Sequence, residues 1–274
     1  MTYKPENPMI VQGDKSILLE VENSRYEEAR DSLNRFAELV KSPEHIHTYR
    51  ITSLSLWNAA ASGMKPDDII SSLERLGKYD LPENIRIDIK DYISRYGRIK
   101  LIRRETDGML VLISDDPILI TEIWNHKSAK PYLISKVNDT NIEVDPTKRG
   151  HIKKALTEIG FPAEDLAGYS TGDFLPLELL GVSRSGMHFS LRDYQVESID
   201  AFYAGGSVHG GCGTIVLPCG AGKTVVGIGT LSKLKCSTLI ITTGITAARQ
   251  WINELMDKTT LSREEIGEYS GEVK

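Results

Sequence analysis

A glycine-rich turn, VLPCGAGKTVV at residues 216–226, constrains the fold of this chain more than any other feature of its sequence. The turn lies within a regular alternation over residues 186–274. The segments GTIVLP, KTVVGIGTLSKL, STLIITT and ITAARQWINELMD have the patterns of a strand, a helix, a strand and a helix. Strands that alternate with helices are typical of parallel, doubly wound sheets. The sequence therefore predicts an α/β domain in which this turn connects the carboxyl end of a strand to a helix.

The turn contains the residue types that a phosphate-binding loop requires. Gly220 and Gly222 allow backbone N–H groups to point inward, and the N-terminus of the following helix adds its positive end. Lys223 would supply a charge to the phosphates and Thr224 a hydroxyl to magnesium. The general pattern has a glycine where this sequence has Leu217, so a plain strand-to-helix turn with a surface lysine is the alternative.

A second segment, HFSLRDYQVESI at residues 188–199, precedes this loop. The amide of Gln195 offers both a donor and an acceptor, so it can pair with the edge of adenine in a way that a carboxylate cannot. Taken alone, Gln195 would be an ordinary residue of a helix surface. Its position upstream of the loop favours the nucleotide interpretation.

Composition excludes several classes of protein. The 274 residues suffice for two or three domains, and the apolar share of 40% and charged share of 26% are typical of globular proteins. The uncharged apolar stretches fall far short of the roughly 18 residues that a membrane span needs, and the first residues lack a signal-peptide pattern. We therefore expect a cytoplasmic protein without a membrane partner.

Net charge and cysteine content exclude fewer classes of protein. The three cysteines have no paired spacing, which favours buried thiols over a disulfide framework or a zinc site. The net charge of −5 argues against a surface that is basic all over, although local basic patches remain compatible with nucleic-acid binding.

Residues 1–114 have the pattern of an α+β domain. PMIVQ and SILLEV form a predicted hairpin, and RYEEARDSLNRFAELVKSP predicts a helix that Pro43 ends. Three short helices follow in TSLSLWNAAASG, KPDDIISSLERLG and LPENIRIDIKDYISRYG, and then a hairpin in RIKLIRR and MLVLIS. Three helices and a hairpin are the elements of a winged helix-turn-helix.

This winged-helix-like element has an uneven charge. Between residues 86 and 104, seven basic residues stand against Asp88 and Asp91. Arg98, Arg103 and Arg104 are therefore candidate DNA contacts. Many winged helices bind only proteins, and protein binding is a stronger interpretation of this element than DNA contact.

Residues 115–180 change to a mixed α/β pattern. A helix in DPILITEIWNH, strands in PYLIS and NIEVD, and a helix in PTKRGHIKKALTEIG predict a small domain. Its last helix repeats basic residues at helical spacing, which fits either a nucleic-acid backbone or a solvated face. A Gly-, Ser- and Pro-rich stretch at 170–186 marks the edge of the last domain, 186–274.

Three motifs together resemble a known family. LRDYQ, LPCGAGKT and ITTGITAARQW, in this order, resemble the adenine-reading motif, motif I and motif Ia of superfamily 2 helicases. The spelling LPCGAGK, with HIHTYRITSLSLWNAAASG upstream and GEYSGEVK downstream, resembles the XPB (xeroderma pigmentosum group B) helicases and their bacterial and archaeal relatives. The resemblance runs from about Pro8 to Lys274.

This resemblance implies a 3′ to 5′ ATP-dependent DNA translocase of nucleotide excision repair or transcription, with ATP and Mg²⁺ as cofactors. It implies catalytic roles for Lys223 and Thr224, with Thr224 also on the metal. It implies DNA contacts by Thr243, Gly244 and Arg249. The implied nucleotide site consists of Arg192, Gln195, Pro218, Cys219, Gly220, Ala221, Gly222, Lys223 and Thr224.

The resemblance also implies domain roles. Residues 115–180 would correspond to a damage-recognition-like domain, and residues 186–274 to a truncated RecA-like lobe. Single-stranded or distorted duplex DNA would be one partner. A protein on the N-terminal domain, such as a nuclease or a repair or transcription factor, would be another.

The sequence departs from the family pattern in one respect. Helicases of this class hold magnesium with an Asp-Glu pair after an apolar strand, and no such pair follows Lys223. We therefore expect the N-terminal portion of a helicase, without the second lobe and with negligible ATPase activity by itself. The alternative is a recruitment module for DNA or protein with an unused loop. A small kinase is a weaker alternative, because no lid-like arginine cluster follows the loop.

Overall fold

The computed structural model describes residues 3–218 and 220–272, and the chain forms two compact units. The first unit ends at Ala167 and the second begins at Gly168. The boundaries suggested by the sequence, after residue 114 and between residues 180 and 186, stay a prediction. Among the described residues, no helix has both the length and the apolar character that crossing a membrane requires.

The first unit begins with a four-stranded antiparallel sheet in the order β1-β2-β4-β3. The predicted hairpin is confirmed, because Met9 pairs with Leu19 and Val11 with Ile17. Lys15 rather than a glycine takes the positive φ of 73° at its turn. The strands are β1 (Met9–Val11), β2 (Ser16–Glu20), β3 (Glu38–Lys41) and β4 (Ile46–Arg50).

The helix predicted to reach Pro43 is shorter than expected. Helix α1 (Tyr26–Leu33) ends ten residues earlier, and strand β3 follows it. Leu39 of β3 pairs with Tyr49 of β4, a strand that the sequence reading missed. Pairing with β4, which itself pairs with β2, has therefore overridden the local helical periodicity.

The three helices that follow are confirmed, and they pack with this sheet around one core. Thr52 caps the first, since its Oγ1 accepts a hydrogen bond from the Ser55 N–H at 3.0 Å while the Ser55 hydroxyl accepts one from the Thr52 N–H at 3.0 Å. The core includes Ile17, Tyr49 and Leu73. The helices are α2 (Ser53–Ala61), α3 (Pro66–Leu76) and α4 (Glu83–Arg95).

A five-stranded sheet in the order β7-β8-β6-β5-β9 completes the first unit. Its β5 pairs with β9 in parallel, and the other pairs are antiparallel. Two helices, α5 (Pro117–Asn125) and α6 (Arg149–Ile159), share its apolar core. The strands are β5 (Ile99–Arg103), β6 (Leu110–Ile113), β7 (Leu133–Lys136), β8 (Asn141–Val144) and β9 (Ala163–Asp165).

The hairpin expected to act as a wing lies instead at the centre of this second sheet. Strand β6 pairs with β8, and β5 pairs with β9, so both strands have neighbours on their outer sides. Leu101 and Leu112 are fully buried in the second core, whereas helices α2, α3 and α4 belong to the first. The winged-helix-like arrangement is therefore not formed, because the hairpin's apolar face is buried against α5 and α6.

The second unit contains the two helices predicted for the α/β domain, α8 (Lys223–Leu234) and α9 (Ile245–Lys258). A further helix, α7 (Asp193–Tyr203), forms in the LRDYQ segment. Leu177, Ile228, Leu255 and Leu261 form its small buried core. The helices predicted for this unit are thus present.

The strands predicted at GTIVLP and STLIITT do not pair within the described part of the chain. Val216, Leu239 and Ile241 are 86%, 84% and 85% exposed, so these three apolar side chains face solvent. Strand formation requires a neighbour that supplies backbone donors and acceptors. In the described residues of this unit, only isolated bridges such as Phe174 with Cys236 and Leu179 with Thr259 link extended segments.

Candidate functional site

The glycine-rich loop leads directly into the N-terminus of helix α8. Gly220 and Gly222 have φ angles of 80° and 78°, in the left-handed region that side chains other than glycine rarely adopt. Gly222 is the residue immediately before the helix. Two sharp bends thus bring the loop to the end of α8 where unpaired backbone N–H groups and the positive end of the helix dipole lie.

Helix α7 packs directly against this loop. The Tyr194 hydroxyl donates a hydrogen bond to the Ala221 carbonyl oxygen at 2.7 Å, and Gln195 Nε2 donates to the same oxygen at 3.1 Å. Gln195 is 5% exposed, and its Oε1 accepts a hydrogen bond from the Arg192 N–H at 3.0 Å. Both ends of the Gln195 amide are therefore bonded within the protein.

Gly222 is required at its position for space as well as for conformation. A Cβ atom there would lie 2.7 Å from Gln195 Nε2, closer than real side chains approach. A side chain at residue 222 would therefore force the Gln195 amide to shift.

The Lys223 ammonium group lies within the bend of the loop. Its Nζ donates hydrogen bonds to the carbonyl oxygens of Leu217 at 2.7 Å and of Pro218 at 3.1 Å. Thr224 follows in the first turn of α8 and is partly exposed. An anion at this loop would compete with these two carbonyls for the ammonium group.

The structure thus brings together several of the predicted nucleotide-site residues: Arg192, Gln195, Pro218, Ala221, Gly222 and Lys223. Cys219 lies outside the described residues. Tyr194 was not among the predicted site residues, although it stands beside Gln195 in the LRDYQ motif. Its contact with Ala221 depends on how α7 packs on α8, which the motif alone does not reveal.

The predicted DNA-contacting residues of the second unit lie at the start of α9. Gly244 is the residue before the helix, and the Thr242 hydroxyl donates to its carbonyl oxygen at 3.2 Å. The Arg249 guanidinium group pairs with the Glu272 carboxylate, and both side chains are more than half exposed. Arg249 lines an open groove of about 610 Å³ along α9, together with Thr246, Gln250, Asn253, Glu254, Asp257 and Lys258.

The predicted basic patch of the first unit makes internal contacts. Arg98 pairs with Asp116 at 2.8 Å, and its guanidinium group lies 5.6 Å from the centre of the Phe161 ring. Arg103 donates hydrogen bonds to the carbonyl oxygens of Gly108 at 3.1 Å and of Ala167 at 3.4 Å. These two guanidinium groups are therefore held at the surface of their own unit.

Arg104 is the most strongly paired member of the patch. Its Nε donates to Asp107 at 2.9 Å, and its Nη2 contacts both Asp107 and Glu143, the latter at 2.9 Å. The hydrogen bonds from Arg104 lower the pKa of Asp107 to about 2. The pairing neutralises much of the local positive charge.

Metal binding by protein side chains alone has no basis in residues 3–218 and 220–272, where no group of three or more His, Cys, Asp or Glu could hold an ion. A magnesium ion held through a hydroxyl and nucleotide phosphates would need no such group.

Two family models match the sequence. Residues 9–138 match the helicase conserved C-terminal domain, and residues 188–274 match the res subunit of type III restriction enzymes. The second match covers the loop, helix α7 and helix α9, the region predicted to form a RecA-like lobe.

Curated relatives match nearly the whole chain. A DNA 3'-5' helicase XPB of Mycobacterium tuberculosis is 44% identical over 98% of this chain and 47% of its own length. The XPB helicase of Kineococcus radiotolerans is 42% identical over 98% of this chain and 46% of its own length. A general transcription and DNA repair factor IIH helicase/translocase subunit XPB of Enterocytozoon bieneusi is 29% identical over 97% of this chain and 43% of its own length. The chain spans about half the length of the curated relatives it matches, and within that span it belongs to the family of XPB-type helicases.

Proposed function

We propose that this chain provides the nucleotide-binding and DNA-contacting parts of an ATP-dependent helicase or translocase that moves 3′ to 5′ on DNA. The observation that carries the proposal is the loop with two left-handed glycines, which enters the N-terminus of α8 beneath Gln195. Similarity to DNA helicases over nearly the whole chain supports it.

The loop fits the phosphates of ATP. The space beside Gly220, where a Cβ atom would stand, is open, and the Lys223 ammonium group lies in the bend of the same loop. In this proposal the loop amides and Lys223 hold the phosphates, and Gln195 pairs with adenine. Thr224 contributes a hydroxyl to Mg²⁺, which would neutralise phosphate charge when bound.

We assign DNA contacts to the start of α9. Arg249 lines the open groove along α9, and Thr243 and Gly244 immediately precede this helix. The Arg249 pair with Glu272 is exposed on both sides and is therefore weak enough to exchange for a phosphate. The first-unit arginines Arg98, Arg103 and Arg104 are weaker candidates, because contacts within their own unit already occupy them.

We assign recognition roles to the first unit. Its five-stranded α/β body would meet distorted duplex DNA through the groove that Lys100 lines. Its first sheet would bind a protein partner, such as a nuclease or a repair or transcription factor. The exposed edge strand β3, with Leu39 and Val40 about half exposed, supports that role. The names of eukaryotic relatives, subunits of a transcription and DNA repair factor, agree with it.

We expect this chain by itself to hydrolyse ATP negligibly. Its sequence has no adjacent Asp-Glu pair after Lys223 to hold magnesium and orient water. Measurable turnover by the purified chain on addition of single-stranded DNA would contradict this part of the proposal.

A recruitment module with an unused loop is the second candidate. It is favoured by the two carbonyls that already satisfy Lys223 and by the unpaired segments on either side of α8. In that case DNA or protein binding would persist while nucleotide binding would be absent.

Titration calorimetry with ATP separates the two candidates. We expect the chain to bind ATP and Lys223→Ala to bind at least about tenfold more weakly, because charge-assisted hydrogen bonds to phosphate are lost. Lys233→Ala is the matched control, since Lys233 lies in the same helix and pairs at the surface with Asp200 at 2.6 Å. Absence of binding by the unaltered chain would favour the recruitment module, and equal losses in the two variants would exclude a specific role for Lys223.

A further inference from the structure

One backbone carbonyl of the loop receives two side-chain donors from α7. The Tyr194 hydroxyl lies 2.7 Å and Gln195 Nε2 lies 3.1 Å from the oxygen of Ala221. A carbonyl oxygen has two lone pairs, so both bonds form together. If Gln195 turns its amide toward adenine, however, its bond to Ala221 is lost, and Tyr194 alone remains on the loop.

The hydroxyl of Tyr194 is oriented for this task. Arg192 Nη1 lies 3.4 Å from it and carries only donors, so the hydroxyl oxygen accepts from Arg192 while its hydrogen points to Ala221. A chain of hydrogen bonds thus runs from Arg192 through Tyr194 to the loop.

Helix α7 is itself fixed against α8. Gln195 lies over Gly222, and Ile199, one turn further along α7, lies over Gly229, two turns further along α8. A Cβ atom at Gly229 would be 2.4 Å from Ile199 Cδ1, so this approach depends on glycine. Tyr194 therefore contacts the loop from a helix whose position is set independently.

We infer that Tyr194 is a positioning residue for the phosphate loop. Its hydroxyl holds the Ala221 carbonyl outward. The N–H groups of Gly222 and Lys223 therefore stay directed at phosphate when the Gln195 amide gives up its bond to Ala221 and pairs with adenine. This inference rests on the proposed nucleotide binding. It gives two adjacent residues different roles: Tyr194 supports phosphate binding by positioning the loop, and Gln195 contacts the adenine.

Comparing ATP with inorganic triphosphate, which has no base, tests this division in the full chain. Tyr194→Phe removes only the hydroxyl, and we expect it to weaken binding of both ligands by the same factor, about twofold to tenfold. Gln195→Ala should weaken ATP binding more than triphosphate binding. Tyr203→Phe is the matched control on the same helix, with its ring beside Lys233 rather than the loop, and it should change neither affinity.

The outcomes are distinguishable. Unchanged affinities in Tyr194→Phe would overturn the inference and leave the proposed function standing, as would a loss confined to ATP, which would make Tyr194 a contact of the base. Failure of the unaltered chain to bind either ligand would overturn both. Thermal unfolding of each variant sets a temperature at which all are folded, so a change in stability cannot imitate a change in affinity.

Discussion

Arg149 donates two hydrogen bonds to Asp165, from Nε at 3.0 Å and from Nη2 at 2.7 Å. Lys153, one turn further along α6, contacts the same carboxylate at 2.9 Å. The three side chains tie the end of strand β9 to helix α6. Two of the basic residues that could have followed a nucleic-acid backbone are thus used inside the first unit.

This cluster predicts an acid-dependent loss of stability. Burial raises the pKa of Asp165, but the hydrogen bonds from Arg149 and Lys153 outweigh it, so the pKa lies below the usual 3.8. The stabilisation is therefore present above the pKa of the unfolded chain and is lost as pH falls through the folded pKa. Asp165→Asn should lower the free energy of unfolding at pH 7 by about 1–3 kcal/mol.

Urea unfolding at pH 7 and at pH 3 checks this prediction. The difference in free energy of unfolding between Asp165→Asn and the unaltered chain should be smaller at pH 3. Glu158→Gln is the control, because its pair with Lys154 is exposed and 3.8 Å long. Its free energy of unfolding should stay within about 0.5 kcal/mol of that of the unaltered chain at both pH values. A gap of the same size at both pH values would mean that the carboxylate charge is not what stabilises β9.

Gly77 should not tolerate a side chain. A Cβ atom there would lie 2.6 Å from the carbonyl oxygen of Leu73 and 3.2 Å from that of Tyr79, both backbone atoms. Gly77→Ala should therefore destabilise the first unit by about 1–3 kcal/mol. No described atom lies within 4 Å of a Cβ at Gly150, in the first turn of α6. Gly150→Ala should stabilise by about 0.5–1 kcal/mol, and a comparable loss in both variants would contradict the steric explanation.

The two loop glycines should differ in their effect on ATP affinity. Alanine at either position adopts an unfavourable positive φ, whereas only alanine at Gly222 also pushes Gln195 away from Ala221. Gly222→Ala should therefore weaken binding at least about threefold more than Gly220→Ala. Calorimetric titration of both variants checks this, and a larger loss at Gly220 would mean that the contact with Gln195 is unimportant for binding.

Arginine neutralisation should separate the two candidate DNA surfaces. Arg249→Gln should reduce the slope of log affinity against log salt for single-stranded DNA by about 0.7, the value for one phosphate contact. Joint replacement of Arg98, Arg103 and Arg104 by Gln should change the slope little, because these side chains are bonded internally. Fluorescence anisotropy over a salt series is the measurement, and a slope reduced by about 2 in the triple variant would assign the interface to the first unit.

Substitutions of exposed residues in the unpaired segment STLIITT should hardly change the free energy of unfolding. Leu239 is 84% exposed, so Leu239→Ser should change the free energy of unfolding by less than about 0.5 kcal/mol. Leu255, 4% exposed in the core of the same unit, is the comparison, and Leu255→Ser should cost about 2–5 kcal/mol. Chemical unfolding measures both. A large loss in Leu239→Ser would show that the segment is packed in solution.

Local signals in the sequence predicted most helices. Thr52 caps α2, Pro66 begins α3 and Gly160 ends α6, and the hairpin at Met9 follows from its alternating pattern. Strands β3, β4 and β9 were missed because a strand depends on a pairing partner that its own local pattern does not show: β3 pairs with β4, β4 with β2, and β9 with β5. The same reason explains the opposite error at GTIVLP and STLIITT, where apolar residues suit a strand but lack a neighbour among the described residues.

The candidate site shows the same limit. The loop motif located Gly222 and Lys223, and the LRDYQ motif located Gln195, so sequence alone assembled the main components. It did not reveal that the Gln195 amide is bonded at both ends or that Lys223 bonds to two loop carbonyls. Those contacts arise from packing between α7 and α8 and from bends at glycines, which no local pattern encodes.

Strand β5 has β6 on one side and β9 on the other, and β9 is the last strand of its sheet to be synthesised. During translation the free side of β5 remains an open template for backbone pairing until Asp165 has emerged from the ribosome. We therefore expect nascent chains to be open to wrong association in this interval, and a chaperone that shields β5 would act before the sheet closes.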